Sequence, residues 1–162
     1  MKRTLLTALA LAFLVPGIAK AQTSAAGSVT LNVNQILSIQ ITANPDVTFS
    51  PTETEFDAGL IDGESATIQT KGNTPHEILV SADAATFSYT GSAAPPPAKP
   101  STDFQWKVGA GTYVGMTLGT AQVGTFARGV HDTDVDYQLL LNYVNDPEGT
   151  YDLAFTYEVL PN

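Results

Sequence analysis

The sequence predicts an all-β protein, a single antiparallel two-sheet sandwich that follows a cleaved leader. Three observations predict it. Apolar residues recur at every second position along most of the chain, as one buried face of a strand requires. Beyond the leader, no stretch of ten or more residues shows helical spacing. Glycine, proline and asparagine clusters cut the alternation into about eight to eleven short pieces, the turn-rich pattern of a sandwich.

Of the 162 residues, 1–21 read as a secretory signal peptide. Lys2 and Arg3 open it, residues 5–15 form an apolar run too short to span a bilayer, and Ala19-Lys20-Ala21 is a small-x-small cleavage site. The mature chain then runs from Gln22 to Asn162 as one β-sandwich domain, large enough to bury a core without staples. The chain has no cysteine, so neither a disulfide nor a thiolate chemistry is open to it. Residues 22–162 carry four basic against sixteen acidic side chains, a net of −12. Such a charge repels nucleic acid and anionic lipid. With no second apolar run of membrane length, the product is expected to be secreted, periplasmic or held at the cell surface, without an integral membrane segment.

The elements follow in order. Val29, Leu31 and Val33 alternate with Thr30 and Asn32, and Ile36, Leu37, Ile39 and Ile41 continue after Asn34-Gln35, which predicts one or two strands with residues 29–33 as the first. A short strand is expected at 47–50, closed by Pro51. The acidic and apolar stretch 53–63 reads as a strand-to-strand crossing with Phe56, Leu60 and Ile61 tucked inward. Ala66, Ile68 and Thr70 alternate up to the turn Lys71-Gly72-Asn73-Thr74-Pro75, and 78–81 follows as the next strand. Further strands are expected at 87–90, 104–108, 113–118 and 121–126. Between them, Pro95, Pro96, Pro97 and Pro100 make 91–102 a stiff exposed loop, because proline lacks the donor a ladder needs.

At the C-terminus, Val135, Tyr137, Leu139, Leu141 and Tyr143 share one face, as do Tyr151, Leu153, Phe155, Tyr157 and Val159. Separated by Asn145-Asp146-Pro147-Glu148-Gly149, the two runs read as the arms of a long hairpin with one buried side.

Catalytic signatures are missing. There is no Gly-x-Ser-x-Gly elbow and no His-Glu-x-x-His, and His76 and His131, far apart in sequence, read as surface residues. A hydrolase would need a cleft with convergent polar groups, which no motif here announces. Asp132, Asp134 and Asp136 would project to one side of an extended strand at roughly 7 Å spacing and are the candidate ligands for a hard cation such as calcium. The spacing departs from a calcium loop at Tyr137, where glycine is needed, and at Tyr143, where a bidentate glutamate is needed. The alternative is a solvated acidic strand start that protects an edge. Tyr89 and Tyr113 flank the proline loop and are the candidate contacts for a glycan, since sugar rings stack on flat side chains. Trp106 alternates with Phe104 and Val108 and is assigned to the core.

With its leader followed directly by alternating β segments, its Gly-Asn-Thr-Pro turn into Ile78-Leu79-Val80 and its ending from Gly149-Thr150-Tyr151 to Val159, the chain resembles the immunoglobulin-like subunits of bacterial surface structures, the fimbrial and spore-coat-U type domains. Gly149 stands fourteenth from the end, where fimbrial subunits often carry a glycine. Pro161 replaces their next-to-last tyrosine, and the disulfide common among them is impossible here. The resemblance implies a non-enzymatic, fimbria-like structural or adhesive surface protein that associates with itself or with other envelope proteins. A secreted carbohydrate- or ligand-binding module is the alternative. In such subunits a leading apolar strand can be donated to a neighbour. Residues 22–27 are too short and polar for that role, which would fall to Val29, Leu31 and Val33.

Overall fold

The computed structural model describes residues 28–162. The expected leader lies outside the described residues, and within them no helix is long and apolar enough to cross a membrane.

Residues Asn34–Asn162 form one unit of ten strands and one short helix. The strands are β1 (Leu37–Ala43), β2 (Leu60–Gly72), β3 (His76–Ala82), β4 (Ser88–Gly91), β5 (Phe104–Val108), β6 (Val114–Gly115), β7 (Ala121–Phe126), β8 (Gly129–Leu140), β9 (Gly149–Asp152) and β10 (Phe155–Pro161), and the helix is α1 (Glu53–Ala58). A five-stranded sheet runs in the order β1-β2-β8-β5-β6, a three-stranded sheet in the order β10-β3-β7, and β4 and β9 form a separate ribbon. All pairs are antiparallel. The all-β, antiparallel two-sheet sandwich predicted from alternation is the fold observed.

The central ladder pairs β2 with β8 from Leu60 opposite Leu140 to Gly72 opposite Gly129. One bulge interrupts it between Asp62 and Glu64, and the residue squeezed out is Gly63, whose φ of 101° a side chain would oppose. Alternation then places Ala66, Ile68 and Thr70 of β2 and Val135 and Tyr137 of β8 on one buried face. Facing them, β3 contributes Ile78, Val80 and Ala82, and β5 closes the interior with Phe104 and Trp106. The core is aromatic at its centre. Phe104 stacks on Tyr137 with ring centres 5.2 Å apart, and Phe155 meets both rings at 5.3 and 5.9 Å.

Several expectations are corrected. The two C-terminal runs are not a hairpin: β8 belongs to the five-stranded sheet, whereas β10 pairs with β3 in the other. Their apolar faces do meet, but across the sandwich, where the hydroxyls of Tyr137 and Tyr157 lie 2.7 Å apart. Alternation reports which side chains point inward and not which strand is the neighbour. The second run is also split, since β9 breaks off to pair with β4 before β10 begins.

Residues 28–33 form no strand, and Val29 and Leu31 are 97% and 81% exposed. Residues 47–50 are likewise outside any strand, and the strand expected at 113–118 shrinks to Val114–Gly115. Instead of a plain crossing, residues 53–58 are a helical turn ended by Gly59, with Phe56, Leu60 and Ile61 half-buried as expected. His76 is not on the surface but fully buried. Its Nδ1 donates to the Thr74 carbonyl at 3.0 Å and its Nε2 accepts from the Thr70 hydroxyl at 2.9 Å. His131, distant in sequence, brings its ring within 5.8 Å of it because it sits opposite Thr70, the hydrogen-bond partner of His76, in the β2–β8 ladder. The proline loop is exposed along most of its length, but it ends with Lys99 and Ser101 buried. Trp106, assigned to the core, is buried there.

Candidate functional site, an apolar groove at one end of the sandwich

The two sheets do not close on each other everywhere. At one end they leave a groove of about 930 Å³ whose floor is Phe87, Phe104 and Leu139. One wall is the segment 47–51, which continues the in-out pattern of β1 with Val47 and Phe49 half-buried but joins no ladder. The opposite wall is 147–155, from which Leu153 and Phe155 face the groove. Beside it, β10 is hydrogen-bonded on one side only, to β3. An apolar channel flanked by backbone outside any ladder on one wall and by a sheet edge on the other has the chemistry to accept an extended peptide: amides for its backbone and hollows for alternate side chains.

The rim is built by polar contacts. Lys99, at the end of the proline loop, donates from Nζ to the Asp146 carboxylate at 2.8 Å, to the Leu140 carbonyl at 2.7 Å and to Asp103 at 3.3 Å. Asp146 also accepts the backbone N–H of Asn142 at 2.8 Å, which fixes the turn between β8 and β9. Tyr151 donates to the Pro147 carbonyl at 2.9 Å, and Tyr89 donates to the Glu148 carbonyl at 2.6 Å. The two tyrosine rings lie 5.0 Å apart across the β4–β9 ribbon. Gly149 is required at this point, because a Cβ there would strike the Tyr89 ring.

Burial, the nearby Asp146 carboxylate and Tyr89 push the Tyr151 hydroxyl up to about 12. A phenol whose folded value lies above its ordinary value of about 10 favours the folded state only while it keeps its proton. The stabilisation is therefore present below pH of about 10 and is lost as pH rises from about 10 to about 12. Alkaline unfolding followed by tyrosinate absorbance should show Tyr151→Phe less sensitive than the parent chain across that window.

The candidate sites read from the sequence fall elsewhere. Asp132, Asp134 and Asp136 alternate along β8 as predicted, but each is engaged separately. Asp132 accepts from Gln69 at 2.9 Å, Asp134 from Thr67 at 2.7 Å, and Asp136 faces the Lys107 ammonium at 3.8 Å. Among the described residues, no three His, Cys, Asp or Glu side chains are grouped to hold a metal ion. Tyr89 is committed to Tyr151 and Glu148, while Tyr113 lies under the Lys107 ammonium, 4.6 Å from its ring centre. The two tyrosines share no contact partner, and neither lines the groove.

Sequence reasoning missed the groove and Lys99. A signal for the first was present in Val47, Phe49 and Pro51, which carry the inward alternation past the end of β1. Lys99 had only a faint one, as a lone cation in a proline-rich run four residues ahead of Asp103.

No protein-family model matches the chain, and no curated protein matches it. Among solved structures, it is similar to a chain from a chaperone-usher pilus, with 12% identity, a TM-score of 0.48, and coverage of 86% of this chain and 98% of that one.

Proposed function

We propose that this protein is a structural subunit of an extracytoplasmic, pilus-like surface assembly whose copies join by strand addition. The single observation that carries the reading is the apolar groove left beside the unpaired edge of β10. It is matched by a segment of the same chain with complementary chemistry. Val29, Leu31, Val33 and Ile36 are exposed apolar side chains, the first three at every second position, in a stretch that carries no acidic or basic residue. Laid between 47–51 and β10 of another copy, such a segment would form ladder hydrogen bonds and bury alternate side chains over Phe104 and Leu139. A further feature is compatible with a structural role: a strongly acidic surface that keeps free subunits soluble.

The test is self-association of the exported chain, measured by sedimentation across a concentration series. The parent chain is expected to form oligomers. Changing Val29, Leu31 and Val33 together to serine removes three apolar contacts of about 1.5 to 3 kcal/mol each, and should weaken association about a thousandfold or more. A parent chain that stays monomeric at every concentration, or a triple variant that assembles as well as the parent, defeats the reading.

A further inference from the structure

We propose that Lys99 and Asp146 condense into an intramolecular amide, a covalent tie between the proline loop and the turn that follows β8. The inference is independent of how copies assemble. Their side chains are 3% and 6% exposed, and Nζ lies 2.8 Å from the carboxylate. The reaction begins when one proton passes along this contact from Nζ to Oδ2 of Asp146. That transfer leaves a neutral amine against a carboxylic acid, the two reactants of an amide, fixed in contact rather than meeting by diffusion.

The surrounding contacts orient the reaction. In the ion pair, Lys99 directs its donors at Asp146, at the Leu140 carbonyl and at Asp103. After the transfer, two N–H bonds remain for Leu140 and Asp103, and the third direction becomes a lone pair aimed at the Asp146 carboxyl. Asn142 N–H already holds Asp146 Oδ2 at 2.8 Å, which fixes the oxygen that takes the proton and departs and leaves Oδ1 to become the amide oxygen. The Nζ–Cγ bond forms and the Cγ–Oδ2 bond breaks, Oδ2 already carrying the first proton. The second proton leaves nitrogen through the Asp103 carboxylate and joins the departing oxygen, so one water is released and no oxidant or co-reactant takes part. Asp103, 29% exposed, is the side on which that water can leave.

The product would close a span of 47 residues in a chain that has no cysteine. It would restrain the unfolded chain much as a disulfide of that reach does.

Intact-mass measurement on the full chain purified after export, followed by protease mapping, tests the step. The expected mass is about 18 Da below that of the same polypeptide uncondensed, one water, with a branched fragment joining the Lys99 and Asp146 peptides. Asp146→Ala should restore the unshifted mass. Asp103→Asn keeps both reactants in place and should fold, as judged by circular dichroism, yet lack the cross-link. If Asp146→Ala fails to fold, the Asp103→Asn chain decides the matter. An unshifted parent mass after prolonged incubation of the folded protein overturns the proposal. So does a loss of water confined to one linear peptide, and a full mass loss in Asp103→Asn removes Asp103 from the step.

Discussion

Replacing Tyr137 with alanine is expected to lower unfolding free energy by about 5 kcal/mol, a large share of the 5 to 15 kcal/mol a domain typically has. Tyr137 is fully buried, stacked on Phe104 and in contact with Phe155, so truncation opens a cavity where the two sheets meet. Losing a large aromatic side chain from such a position costs about 3 to 5 kcal/mol. A second loss adds to it. The Tyr137 hydroxyl is the hydrogen-bond partner of Tyr157, and removing it leaves that hydroxyl unpaired, at about 1 to 3 kcal/mol. Tyr137→Phe separates the two contributions, since the ring stays and only the hydroxyl goes. The midpoint of denaturant unfolding should shift strongly for alanine and by about a third as much for phenylalanine. Burial pushes both hydroxyls above the ordinary phenol value, so the pair is neutral and stabilising at neutral pH and is disrupted only in strong alkali. A Tyr137→Ala chain as stable as the parent would mean that the two sheets do not pack through this residue.

Within the strands that form, which residues point inward was legible because alternation is a local property, whereas Val29, Leu31, Val33 and Tyr143, expected on buried faces, lie outside any strand and are exposed. Ala66, Ile68, Thr70, Val135 and Tyr137 are all buried as their spacing predicted, and Trp106 lies in the core as assigned. Strand partners were not legible, because pairing is decided by the whole set of strands. The runs around Tyr137 and Tyr157 look like hairpin arms in sequence, yet each finds its ladder elsewhere, β8 with β2 and β5, and β10 with β3. His76 shows the same limit. Nothing local marks it as buried, since the site that Thr70 and Thr74 begin is completed by Phe126 of β7 and His131 of β8. For the candidate site, the acidic alternation on β8 was read correctly as a geometry, but its cross-strand partners Gln69, Thr67 and Lys107 engage each carboxylate singly. The groove stayed hidden because a gap between sheets has no sequence of its own. Only its lining does, and Phe87, Phe104, Leu139 and Phe155 are indistinguishable in sequence from residues of a filled core.

Measured against the parent chain before the Lys99–Asp146 amide has formed, Lys99→Met should cost about 3 to 5 kcal/mol, the loss expected when one member of a buried ion pair is removed. An exposed pair would cost less than about 1 kcal/mol, so the size of the effect reports burial directly. The reason lies in what remains. Methionine keeps most of the volume, but Asp146, its side chain 6% exposed, would be left with the Asn142 N–H as its remaining hydrogen-bond donor, and the Leu140 carbonyl would lose its donor. The turn after β8 is tied through this one ammonium to the proline loop, and the same turn leads into the groove wall at 147–155. Removing the charge that was left behind should recover much of the loss. Lys99→Met with Asp146→Leu replaces the pair by apolar side chains beside Phe87 and Phe104, which is often close to neutral for a buried pair. The Asn142 N–H then loses its acceptor, so a residue of about 1 kcal/mol should persist. Thermal unfolding of the parent, the single variant and the double variant gives the three values. A single variant as stable as the parent would show that Lys99 contributes nothing where it sits. A double variant as unstable as the single one would place the loss in packing and not in the orphaned carboxylate.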